Sequence, residues 1–295
     1  MENHSFVKFV PGIYVIYLSV PKVASSSISH ALLSACPTAR ADTNEHSMEG
    51  KSLTHWRPAY SPRPKLPVFS FTRHPIEKFV SYYKNKFLRA PEGKFELHRL
   101  TELGFSPQMS IEEVVAHMMD IPVSRMEHHA QPQHRILAPK GKLLANFVQP
   151  VEKIAEFWPA VQTVSLADFK IGISRNTTER NSVDLSEATL AALVSYYQTD
   201  FDLFGYQTPS GITAAAKSPS SSVRKDRRWL DSTLDHLNRE NEEFMALARK
   251  LEDESFFSDY KQKAQASYND FLAFANYRTS RRSLKSFVPL FGAKS

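Results

Sequence analysis

Three groups of residues in this chain have the types and spacing to do chemistry on an anion. The first is PKVASSSI at positions 21–28. Lys22 supplies a mobile ammonium, and Ser25, Ser26 and Ser27 supply hydroxyl donors. If a helix starts here, the backbone N–H groups around Val23, Ala24 and Ser25 aim at the same point, where the helix dipole favours negative charge. The same serines would serve equally as ordinary helix caps, so the motif alone leaves both readings open. The G-x-x-x-x-G-K-[ST] pattern is absent, which argues against an ordinary P-loop NTPase. The second group is FTRHPIEKFVSYYKNKF at 71–87. Arg73 offers a planar fork suited to phosphate, and Ser81, about two helical turns later, can face the same side. A surface ion pair for Arg73 and a solvent-facing position for Ser81 fit these residues too. The third group is drawn from 11 histidines, of which His55 in THWRPAY and His129 in HHAQPQ stand near these motifs. An imidazole titrating near its usual ~6.5 can take a proton at neutral pH. No Cys/His/carboxylate set has metal-ligand spacing, so no metal is expected. The single cysteine, Cys36, excludes an internal disulfide framework.

Anion chemistry at these positions needs a scaffold that brings strand ends and helix starts together. Residues 13–20 (IYVIYLSV) form a continuous β-branched and aromatic run, which predicts a strand buried on both faces. A short polar loop follows, then a helix over 28–35. The pattern repeats with VFSFT at 68–72 as strand, RHP as turn and an amphipathic helix from Ile76 to about Leu88. Two strand–loop–helix units predict an α/β fold with a parallel sheet. Arg73 then sits at the carboxyl end of a strand, where such sheets bind ligands. Further helices are predicted over 110–120, with Ser110 and Glu113 as a capping box, over 151–161, and over 186–198. A short strand is predicted at 143–148, and FDLFGY at 201–206 closes the compact part.

These motifs, in this order, resemble those of the carbohydrate sulfotransferases, the Golgi-type family 2 and its bacterial relatives. The resemblance covers roughly residues 11–206 and implies a P-loop-like three-layer fold with a central parallel sheet flanked by helices. It implies that the first loop (Lys22, Val23, Ala24, Ser25, Ser26, Ser27) grips the 5′-phosphosulfate of 3′-phosphoadenosine-5′-phosphosulfate (PAPS). Arg73 and Ser81 would grip its 3′-phosphate, and 3′-phosphoadenosine-5′-phosphate (PAP) would be the product. Lys22 would also meet the charge that builds on the leaving phosphate. HHAQPQ at 128–133 resembles the family's His-Trp-x-Pro-Gln segment on the acceptor side, with His129 in the histidine's place. THWRPAY resembles the histidine segment that supplies the base in heparan-type uronyl sulfotransferases and many bacterial relatives, which makes His55 the first candidate base and His129 the other. NFVQPVE ends on the matching Glu152. Ala130 stands where the family has tryptophan, and Ala138 near where the animal enzymes have a cysteine. Acceptor recognition should differ accordingly. The implied activity is transfer of a sulfonate to a hydroxyl of an acceptor, a saccharide by resemblance. The alternative is a catalytically inactive nucleotide-binding interaction module of the same fold.

The chain has 295 residues and 42% hydrophobic content, enough for a sizeable core. Its formal net charge of +6 suits an anionic ligand without choosing one. Basic and aromatic residues are not interleaved in a nucleic-acid-binding motif, so nucleic acid is not an expected partner. The early apolar run at 13–20 is far shorter than the roughly 20 residues a spanning helix needs. With no basic segment and cleavable apolar stretch at the start, a cytoplasmic location is expected. Domains are expected at 1–206 for sulfonate transfer, 207–222 as linker and 223–295 as a helical basic extension. Linker and extension together, residues 207–295, carry 15 Lys and Arg against 11 Asp and Glu, most of the chain's excess. The extension's apolar face, with Trp229, Leu234, Leu237, Phe244 and Leu251, must be covered. The catalytic domain, a partner subunit in a homo-oligomer, or peripheral membrane contact by FVPLFGAKS would each do so.

Overall fold

The computed structural model describes residues 6–9, 12–35, 66–88, 98–167, 169, 183–212 and 227–285. His55, most of the expected linker and the FVPLFGAKS end lie outside these residues.

The described residues form a four-stranded sheet of order β1-β2-β3-β4: Val7–Phe9, Ile16–Leu18, Val68–Thr72 and Phe147–Pro150. The last three strands run parallel, with Ile16 opposite Val68 and Phe69 opposite Phe147; β1 runs antiparallel to β2. Every residue of β2 and β3 is buried, as a sheet covered by helices on both faces requires. The strand expected over 13–20 is shorter than its apolar run. Its first residues bond outside the ladder, with the Tyr14 N–H donating to the Ser165 carbonyl at 3.1 Å. The expected strand at 143–148 begins late because the Leu144 N–H closes a turn on the Leu137 carbonyl at 2.9 Å. The short strand β1 carried no signal strong enough to anticipate.

Nine helices are described: α1 (Ser25–Ser34), α2 (Pro75–Tyr83), α3 (His98–Glu102), α4 (Ile111–Met119), α5 (His134–Leu137), α6 (Ile154–Ser165), α7 (Glu187–Phe204), α8 (Arg227–Lys250) and α9 (Glu254–Lys285). Their limits have local causes. The α4 capping box is closed both ways, with Glu113 N–H donating to Ser110 Oγ and Ser110 N–H donating to the Glu113 carboxylate. Ser186 caps α7, and Gly205 stops it at φ 68°. Pro75 opens α2, whose last turn widens into a π turn at Lys84–Leu88.

Two apolar clusters result. One joins the sheet to α1, α6 and α8; the other joins α2, α4 and α7. Helix α8 shares the sheet's core, through Leu237, Phe244, Ala248 and Leu251. Phe244 stacks on Phe147 of β4 with ring centroids 4.4 Å apart. Asn241 stands where a fifth strand would: its Oδ1 accepts from the Val148 N–H at 2.8 Å and its Nδ2 donates to the Val148 carbonyl at 3.1 Å. One polar side chain thus satisfies an otherwise bare sheet edge. At the start of α8, Trp229 lies over Gly141, where an added Cβ would fall 1.7 Å from the indole Nε1.

Because Phe244 is 3% exposed in the sheet's own core, Phe244→Ala should cost about 3–5 kcal/mol. Denaturant unfolding followed by the near-ultraviolet signal of the sheet aromatics measures it. An unchanged midpoint would show that α8 folds apart from the sheet.

Candidate active site

Val20 to Val23 form a tight turn at the carboxyl end of β2, in which the Val23 N–H donates to the Val20 carbonyl at 3.4 Å. Pro21 takes its second position and Lys22 its third. Lys22 has φ 66° and Ala24, at the N-cap of α1, has φ 48°. Both lie in the left-handed region where non-glycine residues are strained by about 1–3 kcal/mol each. No side chain caps α1. Ser25, Ser26 and Ser27 occupy its first turn, where the helical i to i−4 bonds begin at the Ile28 N–H donating to the Ala24 carbonyl. The N–H groups of the three serines therefore end at the helix mouth, as an anion cradle requires.

Arg73 directly follows β3. Its Nη1 donates to the Lys22 carbonyl at 3.4 Å, so the two motifs, 51 residues apart, meet. Its guanidinium also approaches Glu77 at 3.6 Å, one helical turn on. Ser81 lies in the last turn of α2 and is buried.

The Arg73 backbone is held from the segment that follows HHAQP. Gln133, fully buried, accepts the Arg73 N–H at 2.9 Å and donates its Nε2 to the Arg73 carbonyl at 2.8 Å. Gln133 and His134 are in turn held by Asp200 of α7, whose buried carboxylate accepts their N–H groups at 2.6 and 2.9 Å and His134 Nδ1 at 2.7 Å. On the other side of the turn, Glu152 accepts the His74 N–H at 2.9 Å and the Tyr206 hydroxyl at 3.2 Å, while Tyr206 and Thr72 share a hydrogen bond at 3.1 Å.

His129 is fixed just as closely. The Lys78 ammonium, fully buried on α2, donates to the carbonyls of His129 at 2.7 Å and Gln131 at 2.9 Å. The Tyr197 hydroxyl donates to the Ala130 carbonyl between them at 2.6 Å. Burial pushes the Lys78 pKa down to about 8, with the carboxylates of Asp200 and Glu127 opposing the shift and Lys22 adding to it. Glu127 Oε2 accepts the His129 N–H at 3.0 Å, and its Oε1 accepts Nδ1 of both His129 and His128, at 2.7 and 2.8 Å. Burial acts to raise the Glu127 pKa, but the two imidazole hydrogen bonds outweigh it and hold the carboxyl well below its usual range. Burial lowers His129 to about 4, against the pull of Glu127. The imidazole is therefore neutral at pH 7. Glu127, His128 and His129 are also the one group of metal-ligand types among the described residues with ligand atoms within 4.8 Å. Both Nδ1 atoms are committed to Glu127, and a cation would have to displace those bonds.

Lys22, Val23, Ala24, Ser25, Ser26 and Ser27 thus form one loop and helix mouth with Arg73 beside it, and Ser81 and His129 are tied to α2. Sequence reasoning missed Lys78, Glu127, Gln133 and Asp200. All four lie inside or beside the quoted motifs, but nothing in their spacing shows that they bond one another's segments.

A mostly parallel sheet with a serine-rich helix mouth at the carboxyl end of one strand and an arginine at the end of the next defines a P-loop-like α/β protein. The chain matches the model of the sulfotransferase family, family 2, over residues 8–207, and it belongs to that family. No curated protein and no solved structure gives a match. Among the described residues no helix is long and apolar enough to cross a membrane.

The Glu127–His129 pair makes the fold acid-sensitive. His129 binds its proton near 6.5 when unfolded and near 4 when folded. The unfolded state therefore holds more protons in that window, and stability falls as pH drops through it, by up to ~1.4 kcal/mol per pH unit. Glu127 adds to the loss below about 4.5, since its folded pKa is depressed. Thermal melts from pH 7 to 4 should show this slope, and His129→Gln should flatten its upper part. A melting temperature equal at pH 6.5 and 4.5 would contradict it.

Proposed function

We propose that this protein transfers the sulfonate of PAPS to a hydroxyl of an acceptor, a saccharide by its family resemblance, and releases PAP. The contact of Arg73 Nη1 with the Lys22 carbonyl carries the reading, because it joins two anion-binding motifs at neighbouring strand ends. Such a pair suits a nucleotide with phosphate at both 3′ and 5′ positions. Lys22 and the Ser25–Ser27 helix mouth take the 5′-phosphosulfate, and Arg73 with Ser81 takes the 3′-phosphate. The acceptor oxygen attacks sulfur as the bond from sulfur to the 5′-phosphate oxygen breaks. His129 takes the hydroxyl proton, and Lys22 meets the charge left on the phosphate. The imidazole held by a carboxylate at Nδ1 supports His129 as base; His55, outside the described residues, is the other candidate.

PAP should bind at least about tenfold more tightly than AMP, and Arg73→Ala should erase most of that difference, since charged hydrogen bonds contribute ~1.5–3 kcal/mol each. Calorimetric titration measures both. Equal affinities in the wild type would sink the cofactor assignment, and PAP binding without any turnover of PAPS would leave the inactive nucleotide-binding module.

Lys22 separates backbone strain from chemistry. Lys22→Gly relieves a φ of 66° and should leave stability unchanged or raise it by about 1 kcal/mol, while turnover falls far more than PAP affinity. A variant as active as wild type would remove Lys22 from the reaction. If His55→Ala proves inactive and His129→Ala active, the proton acceptor is His55.

A further inference from the structure

We infer that Glu127 is the positioning residue of the reaction: it fixes the tautomer and orientation of His129 so that Nε2 carries the lone pair. This rests on the role of His129 proposed above. Three atoms of His129 are held by buried charged groups. The Glu127 carboxylate, on a residue 1% exposed, takes both the backbone N–H and Nδ1. The Lys78 ammonium, on a residue with no exposure, takes the carbonyl. Among the described residues no partner is found for the remaining polar atom, Nε2.

A carboxylate only accepts, so the nitrogen facing it must carry the hydrogen. Nδ1–H is therefore the donor, and the lone pair of the neutral ring falls on Nε2, the nitrogen a base would use. Backbone and ring are gripped by the two oxygens of one carboxyl, which leaves the ring little freedom to turn. His128 Nδ1 approaches the same Oε1 at 2.8 Å. It competes for that oxygen, while the second oxygen belongs to the His129 N–H. His128 and then Lys86 are the other side chains whose charge acts on His129, and both favour the neutral ring.

The test is nitrogen-15 NMR of the histidine side chains in the full chain at pH 7, with His129→Gln and His128→Gln for assignment. Wild-type His129 should be protonated on Nδ1 and bare on Nε2. Glutamine can accept through its oxygen or donate through its nitrogen, so Glu127→Gln should shift the Nδ1–H to Nε2–H ratio by about tenfold. Glu127→Asp, which keeps a carboxylate, should retain the wild-type pattern at least in part and covers the case that the glutamine variant does not fold. An Nε2–H tautomer in the wild type overturns the inference, as does an unchanged ratio in Glu127→Gln. PAP affinity, measured on the same samples, should stay within about twofold of wild type, since Glu127 is not assigned to the nucleotide. Failure of the wild type to prefer PAP over AMP would count against the sulfonate-transfer reading, while the tautomer result would stand or fall by itself.

Discussion

A charge removed from water must be met by partners inside the protein, and Lys78 is such a charge with no exposed surface. Its ammonium is satisfied by the carbonyls of residues 129 and 131, and Tyr197 secures the carbonyl between. Three successive peptide groups of an otherwise irregular loop are thereby fastened to α2 and α7. The same helix α2 starts one residue after His74, so the ammonium that fixes His129 and the turn that carries Arg73 move as one body. Removing Lys78 would leave the carbonyls unmet in a closed interior, whereas keeping it forces the loop into one place.

Asp200 plays the matching part with opposite charge. It collects two N–H groups and an imidazole from residues 133 and 134, and Gln133 passes that order to the Arg73 backbone. The loop before α1 is strained, with Lys22 and Ala24 in left-handed backbone. A tight network beneath a strained loop is a consistent arrangement: the surroundings over-determine a conformation the loop residues would not choose. Buried charges of both signs give residues 129–134 their fixed position.

The basic extension joins this framework by an unusual route. Asn241 gives β4 the two hydrogen bonds of a neighbouring strand while α8 gives it apolar cover. At β4 the sheet therefore ends on a helix.

Much of this was legible in the residues. The apolar runs at 13–20 and 68–72 specify buried strands because continuous β-branched and aromatic sequence suits a sheet covered on both faces. Ser110 with Glu113, Ser186 and Pro75 set helix starts by local hydrogen bonding and fixed φ, which act within four residues. PKVASSSI and TRHPIEKFVSYYKNKF were legible as strand-to-helix junctions for the same reason: helix mouths and strand ends are local features. The sequence alone also determined that the apolar face of residues 227–251 needed cover. Only the tertiary structure decided that β4 supplies it, through an asparagine 93 residues from Val148. Only the tertiary structure brought Arg73 to Lys22, Gln133 to Arg73, Asp200 to Gln133 and Lys78 to His129. Those pairings span 51 to 67 positions, and a hydrogen bond between distant segments leaves no periodicity in either one.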